Sequence, residues 1–305
     1  MMLNSLLRLA RPSHWIKNLV VLLPVIFAVR MDDAGAWAQA ALAAAAFCLA
    51  SSAAYIINDI RDRQKDRLHP CKKDRPLAAG RVSVSVAVLA AAVLGVAAGV
   101  VAVSVKAMVL FVILAYLGLQ LAYTYFLKRK MLVDVICIAL GFVLRAAAGA
   151  VAIGVAISPW LFVCMFTICL FMGFCKRCNE IVTAGGGLAA RQHRRTLLGY
   201  SPELLTHLIT VSAGIAVVAL LLHATSERTV MNLGTNYLIY TLPLFIYGVF
   251  RFAMLSMKGI YSDPTDLILR DRPMQLAVLL WVTALVAVVR WGKALQEWLS
   301  ACAQG

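Results

Sequence analysis

The sequence predicts an all-α integral membrane protein of nine transmembrane helices, and three observations support the membrane-spanning helices. The 305 residues are 62% hydrophobic and only 14% charged, with mean hydropathy +0.85. A soluble domain is about half apolar and a quarter charged. Long apolar runs recur between short charged breaks, and those breaks alternate between strongly basic and nearly neutral.

The runs, in order, are Ser13–Val29, Ala34–Ile57, Val82–Val105, Ala107–Leu127, Met131–Ile157, Pro159–Cys175, Leu204–Ala224, Leu233–Phe250 and Pro273–Val289. A spanning helix needs about 20 residues, and most of the runs supply them. The first is shortened by Lys17, the fifth contains Asp134 and Arg145, and the eighth meets Arg251 at once. The whole chain, 1–305, reads as a single transmembrane catalytic domain.

Charge placement orients the spans. With the N-terminus inside, the inner segments hold 23 Lys and Arg residues and the outer ones hold 5, with Arg145 left inside a span. Basic residues collect on the cytoplasmic side of membrane proteins. The N-terminus is therefore expected in the cytoplasm and the C-terminus outside. The basic N-terminal segment has no small-residue cleavage site and reads as part of the fold, not as a signal peptide. A net charge of +15 would suggest nucleic acid on a soluble protein. Here anionic lipid headgroups account for it and no nucleic-acid partner is expected. Of the eight cysteines, Cys175 and Cys178 form a CxxC. No second pair completes a zinc site, so they read as small apolar residues.

The segment after the second run carries the chemistry. Residues 58–80 read NDIRDRQKDRLHPCKKDRPLAAG. Asp59, Asp62 and Asp66 are three and four residues apart, and Asn58 is one turn before Asp62. On a helix that spacing puts them on one face. Carboxylates so clustered repel unless a cation sits among them, and magnesium takes oxygen ligands, often one or two carboxylates plus substrate phosphates. The metal ligands expected are Asp59, Asp62 and Asp66. The competing reading is a solvated helix whose acids pair with Arg61, Arg63, Lys65 and Arg67. Lys72 and Arg75 follow as phosphate ligands. Lys73 reads as ordinary inner-face charge and His69 as a turn residue.

These residues resemble a family. Asn58-Asp59-x-x-Asp62-x-x-x-Asp66 matches the NDxxDxxxD motif of the UbiA superfamily of membrane prenyltransferases. His69-Pro70-x-Lys72-x-x-Arg75-Pro76-Leu77-Ala78 matches the segment that follows it there. Tyr123 to Lys128 (YTYFLK) is similar to that family's Tyr-Ser-x-x-Leu-Lys, which adds Tyr123 and Lys128 as substrate-binding candidates. The resemblance covers nearly the whole chain and implies nine helices around a central cavity open to lipid at one side.

The family's second acidic motif, DxxxD, is missing. Between Lys176 and Pro202 the only acid is Glu180, while Lys176, Arg177, Arg191, Arg194 and Arg195 are basic. Positive charge in place of a second acid set implies an extra phosphate. The segments RPSHWIKN (Arg11–Asn18), GFVLRAAAGA (Gly141–Ala150), ISPW (Ile157–Trp160), KRCNE (Lys176–Glu180) and DLILRDR (Asp266–Arg272) are similar to the decaprenyl-phosphate phosphoribosyltransferase branch. That branch implies phosphoribosyl pyrophosphate as donor, a polyprenyl phosphate as acceptor and Mg2+ as cofactor.

The implied roles are these. Asp59, Asp62 and Asp66, assisted by Asn58, hold magnesium on the diphosphate, and Lys72 and Arg75 stabilise the leaving group. Lys17, Arg145, Lys176 and Arg177 receive phosphate, with Arg145 and Lys17 the candidates for that of the lipid. Arg145 and Asp134 are eleven residues apart on one helix, too far for an ion pair. Lys17 has an alternative in snorkelling to headgroups. Glu180 is open between a ribose hydroxyl, Lys176 and a metal. Asp263 reads as a helix N-cap; Asp266, Arg270 and Asp271 are open between covering the cavity and binding the sugar, with capping and a lid role favoured over metal ligation. Two rivals remain: an aromatic prenyltransferase of the same fold, and a transporter or lipid-binding protein without chemistry. Self-association into a homo-oligomer is left open.

Overall fold

The computed structural model describes residues 2–68, 72–183, 199–261 and 264–302, and among them there are helices and no strands. The helices are α1 (Met2–Ala10), a 3-10 helix Pro12–Leu22 running into α2 (Leu23–Phe27), α3 (Ala34–Arg67), α4 (Val84–Val105), α5 (Ala107–Tyr125) and α6 (Val133–Ile153). Then come α7 (Pro159–Thr183), α8 (Pro202–Thr225), α9 (Glu227–Leu233), a 3-10 turn Tyr237–Thr241 leading into α10 (Leu242–Met257), α11 (Pro264–Arg270) and α12 (Arg272–Cys302). Among the described residues eight helices are long and apolar enough to cross a membrane. The chain is a multi-pass membrane protein.

The count differs from nine at the first run. Pro12–Phe27 has too few residues for an α-helical span, and its first 11 residues wind as a 3-10 helix. That winding rises about 2.0 Å per residue against about 1.5 Å in an α-helix. The segment is therefore roughly 30 Å long, close to a bilayer's hydrocarbon thickness. The eighth run also shifts. Its helix continues through Arg251 to Met257, because Asp271 accepts two hydrogen bonds from that guanidinium at 2.6 and 2.9 Å.

Two units make up the chain. One comprises Met1–Val25, Arg30–Lys128 and Leu140–Ala156. Its α3 is alanine-rich and buries Ala36, Ala40, Ala43, Ala46, Ala50 and Ala53. Facing it, α4 buries Ala87, Ala91, Ala98 and Ala102, while Leu89, Val93, Val96 and Val100 are exposed. Small residues inside and branched ones outside suit helices that pack in lipid, where apolar side chains gain nothing from hiding. Asp33 caps α3 by accepting from the Ala36 amide, and Ser83 caps α4. Two of the outer-segment cations sit at the C-terminal end of α6: Arg30 donates to the Ile153 carbonyl and Lys106 to that of Val151, a favourable place for positive charge.

The other unit comprises Ile26–Val29, Arg129–Ala139 and Ile157–Gly305. Its core gathers Phe171, Phe174, Leu205, Ile209 and Phe252, and Cys175 and Cys178 are buried within it. The described cysteines are free, so the CxxC spacing is one helical turn of core packing. The chain begins α8 with Ser201 accepting from the Leu204 amide, Pro202 taking the first helical position.

Candidate functional site

The acidic residues lie on helix, not loop. α3 continues ten residues past its apolar run without a break, about 15 Å of extension. At 100° per residue, Asn58, Asp59, Asp62 and Asp66 fall within roughly 100° of arc. Asp59 and Asp66 are buried and Asp62 is half-buried. Burying carboxylates demands partners, and each has one.

Asp59 accepts from Arg11 Nη2 at 2.5 Å and from Arg75 Nη1 at 3.1 Å. The same Arg75 nitrogen reaches Asp66 Oδ2 at 2.7 Å. Lys128 Nζ lies 2.7 Å from both oxygens of Asp62 and 3.1 Å from Asn58 Oδ1. Three carboxylates are thus balanced by three cations drawn from three distant parts of the chain. The solvated pairing with Arg61, Arg63, Lys65 and Arg67 does not form for these acids; Arg67 donates to the Ala78 carbonyl instead. Among the described residues no group of three or more His, Cys, Asp and Glu side chains stands ready to hold a metal. The donor set still fits magnesium, which completes its shell with phosphate oxygens and needs one or two carboxylates.

Arg11 was not among the site residues that spacing singled out. It sits at φ +53°, a left-handed conformation uncommon for a side-chain-bearing residue, and its guanidinium lies over the Tyr55 ring, 5.2 Å from the centroid. The signal for it was the RPSHWIKN segment. The next residues of that segment bind α3 as well: Trp15 Nε1 donates to Ser52 Oγ at 3.0 Å, and Asn18 Nδ2 to Ser51 Oγ and Cys48 Sγ at 3.3 Å.

Arg145 is not brought to the acids. It is buried, its Nε donates to Asn18 Oδ1 at 2.7 Å, Nη1 to the Gly141 carbonyl at 2.7 Å and Nη2 to Tyr116 Oη at 2.9 Å. Phe47, Tyr116 and Phe142 surround it at 4.8–6.0 Å. Its level on α3 is that of Phe47–Ser51, about 12–18 Å along the helix from Asp59. The guanidinium of Arg145 is thus bonded to neutral protein groups, at the level of Lys17 and Asn18. What it does is fasten the first 3-10 helix. Gly149, one turn on, lies so close to Val21 that an added Cβ would stand 1.9 Å from the Val21 carbonyl oxygen. RPSHWIKN and GFVLRAAAGA are two sides of one interface.

In the other unit Arg177 is also committed. It is 1% exposed, its Nε is 3.3 Å from Asp134 Oδ2, and Nη1 bonds Glu180. Tyr200 Oη donates weakly to Asp134 and accepts from the Leu132 amide; burial pushes the Tyr200 phenol above its usual range. Arg177 therefore holds Glu180 and Asp134. Asn179 Nδ2 donates to the Tyr261 carbonyl. Asp271 accepts from the Met274 amide at 2.8 Å and caps α12; the Arg251 guanidinium beside it lowers its carboxyl below the ordinary value. Capping, not a substrate role, is what Asp271 does. Asp266 and Arg270 meet at the surface at 3.9 Å. Lys17, Lys72, Tyr123, Lys176 and Glu180 are half-buried. His69, Asp263, Arg191, Arg194 and Arg195 lie outside the described residues.

The comparisons agree with one another. Residues 19–258 match the model of the UbiA prenyltransferase family. The chain is 34% identical to a decaprenyl-phosphate phosphoribosyltransferase of Mycolicibacterium smegmatis, over 94% of this chain and 93% of that one. It is 35% identical to the enzyme of the same name from Mycobacterium tuberculosis, over 92% and 93%. A UbiA homologue from Archaeoglobus fulgidus bound to DMAPP and Mg2+ superposes with TM-score 0.70, at 19% identity, over 93% of this chain and 99% of that one.

Proposed function

The chain belongs to the UbiA prenyltransferase family, and from that premise we propose that it transfers 5-phosphoribose from phosphoribosyl pyrophosphate to a polyprenyl phosphate, releasing pyrophosphate. The observation that carries the reading is the pairing of Asp59, Asp62 and Asp66 with Arg11, Arg75 and Lys128. Such a set suits a diphosphate that brings a divalent cation: the carboxylates would hold the cation and the guanidinium and ammonium groups would take phosphate oxygens, so that no buried charge would be left alone.

In this mechanism Asp59, Asp62 and Asp66, with Asn58, hold Mg2+, whose chemistry is to neutralise the pyrophosphate as it departs. Arg75, Lys128 and Lys72 would take phosphate oxygens of the leaving pyrophosphate. Tyr123 belongs to the same family segment as Lys128 and is assigned to substrate. By the resemblance to the phosphoribosyltransferase branch, Lys17 and Lys176 are assigned to the acceptor phosphate, and Glu180, steadied by Arg177, to a ribose hydroxyl. The acceptor oxygen is already an anion, so no side chain need remove a proton. Attack opposite the leaving pyrophosphate inverts the anomeric centre.

The basic inner segments support a reaction on the cytoplasmic side of a bacterial inner membrane, with the C-terminus outside. The test is to incubate purified protein and Mg2+ with labelled phosphoribosyl pyrophosphate and polyprenyl phosphate. Label should pass to the lipid phase. Consumption of a prenyl diphosphate and an aromatic ring, with phosphoribosyl pyrophosphate ignored, would replace this reading with that of an aromatic prenyltransferase.

A further inference from the structure

A 3-10 helix has three residues per turn, so side chains at i, i+3 and i+6 eclipse one another. In the first segment this sorts the sequence into three straight rows. Ser13, Ile16 and Leu19 are all exposed, an apolar row but for its first residue. Trp15, Asn18 and Val21 meet Ser52, Ser51, Arg145 and the Gly149 backbone. The remaining row is His14 and Lys17, both half-buried, with Arg11, the half-buried N-cap in a left-handed conformation, just before the helix. An α-helix would turn His14 and Lys17 about 60° away from each other. The 3-10 winding instead aligns them at an interval of about 6 Å.

The row starts at the acids. Arg11 is on Asp59, and His14 sets its ring edge against Tyr55, centroids 5.2 Å apart. Tyr55 lies one turn before Asp59 on α3. Lys17 follows about 12 Å from Arg11 along the axis, within the apolar segment. A water-soluble sugar phosphate has no reason to enter there, whereas an anion carried on a lipid chain does.

We propose that His14 and Lys17, leading up to Arg11, form a track for the acceptor's phosphate, that His14 is a substrate-binding residue, and that the 3-10 winding aligns His14 with Lys17. This rests on the polyprenyl-phosphate reading above. The lipid phosphate is held by His14 and Lys17 on its way to the donor bound at Asp59. A single phosphate accepting one hydrogen bond from each gains two charge-assisted contacts, each worth roughly a 10- to 150-fold change in affinity.

The test measures binding of labelled polyprenyl phosphate to donor-free protein in nanodiscs of zwitterionic lipid, beside binding of phosphoribosyl pyrophosphate to the same samples. His14→Ala and Lys17→Met should each weaken acceptor binding about 10-fold or more and leave donor binding and melting temperature near wild type. Lys17→Arg should retain most of the affinity. Adding Ile16→Lys to Lys17→Met restores net charge one row away and should not restore binding. Rescue by Ile16→Lys, unchanged acceptor affinity in both single variants, or equal displacement of the acceptor by phosphatidylglycerol or inorganic phosphate would each overturn the track. Failure of the wild type to bind polyprenyl phosphate at all would overturn the functional reading beneath it.

Discussion

Replacing Arg145 with Met separates a fastening residue from a phosphate ligand. The guanidinium donates to Asn18 Oδ1, Tyr116 Oη and the Gly141 carbonyl. Methionine fills part of the space and abolishes all three bonds. Asn18 and Tyr116 are then buried with polar atoms that have lost their donor, each costing about 1–3 kcal/mol. Relief comes from no longer burying a cation among neutral groups. The net loss should be about 2–4 kcal/mol, a fall of roughly 5–10 °C in melting temperature. Thermal unfolding in detergent reads it. Lysine at the same position keeps the charge but not the fork, and should recover only part of the loss. Adding Tyr116→Phe to Arg145→Met should cost less than Tyr116→Phe alone, because the orphaned hydroxyl is then gone. An unchanged melting temperature with a selective loss of acceptor affinity would refute this reasoning and return Arg145 to the lipid phosphate.

Asp59→Asn, Asp62→Asn and Asp66→Asn should each lower turnover about 100-fold or more with the protein still folded, as should chelation of Mg2+ in the wild type; turnover surviving in all three variants would remove the metal role. Gly149→Ala should destabilise by about 1–3 kcal/mol, measured by thermal unfolding, because its methyl group meets the Val21 carbonyl. The Asp271 carboxyl is lowered by Arg251. Its contribution is complete above the unfolded value of about 3.9 and is lost as pH falls through the lower folded value. Melting temperature followed down to about pH 2 should therefore fall less steeply in Asp271→Asn than in wild type.

Much of this was legible in the sequence because it depends on neighbours. The acid face of α3 follows from residues three and four apart, and eight of the spans follow from runs of apolar residues. What escaped depends on partners far along the chain. The acids looked able to pair with Arg61 and Arg63 beside them, yet Asp59 takes Arg11 from 48 residues away and Asp62 takes Lys128 from 66. Arg145 read as a phosphate ligand because an intramembrane cation demands an explanation, and Arg177 because basic residues stand where a second acid motif would. Their partners Asn18 and Asp134 are not revealed by spacing. The 3-10 winding of Pro12–Leu22 has no local signature either. It is held by tertiary bonds from Trp15 and Asn18 and by the close approach at Gly149. Arg251 ended the eighth run in the sequence because it is charged, and Asp271 is what lets the helix pass through it.

The central claim is transfer of phosphoribose by one in-line attack of a phosphate oxygen, with its charge balanced by the acid cluster and its cations. The most direct measurement is the anomeric configuration of the product made by purified protein from phosphoribosyl pyrophosphate and polyprenyl phosphate, read from the coupling of the anomeric proton. The account predicts a β-linked polyprenyl-phosphate ribose 5-phosphate, inverted from the donor's α linkage. An α-linked product would require a covalent intermediate or same-face attack and would contradict the mechanism.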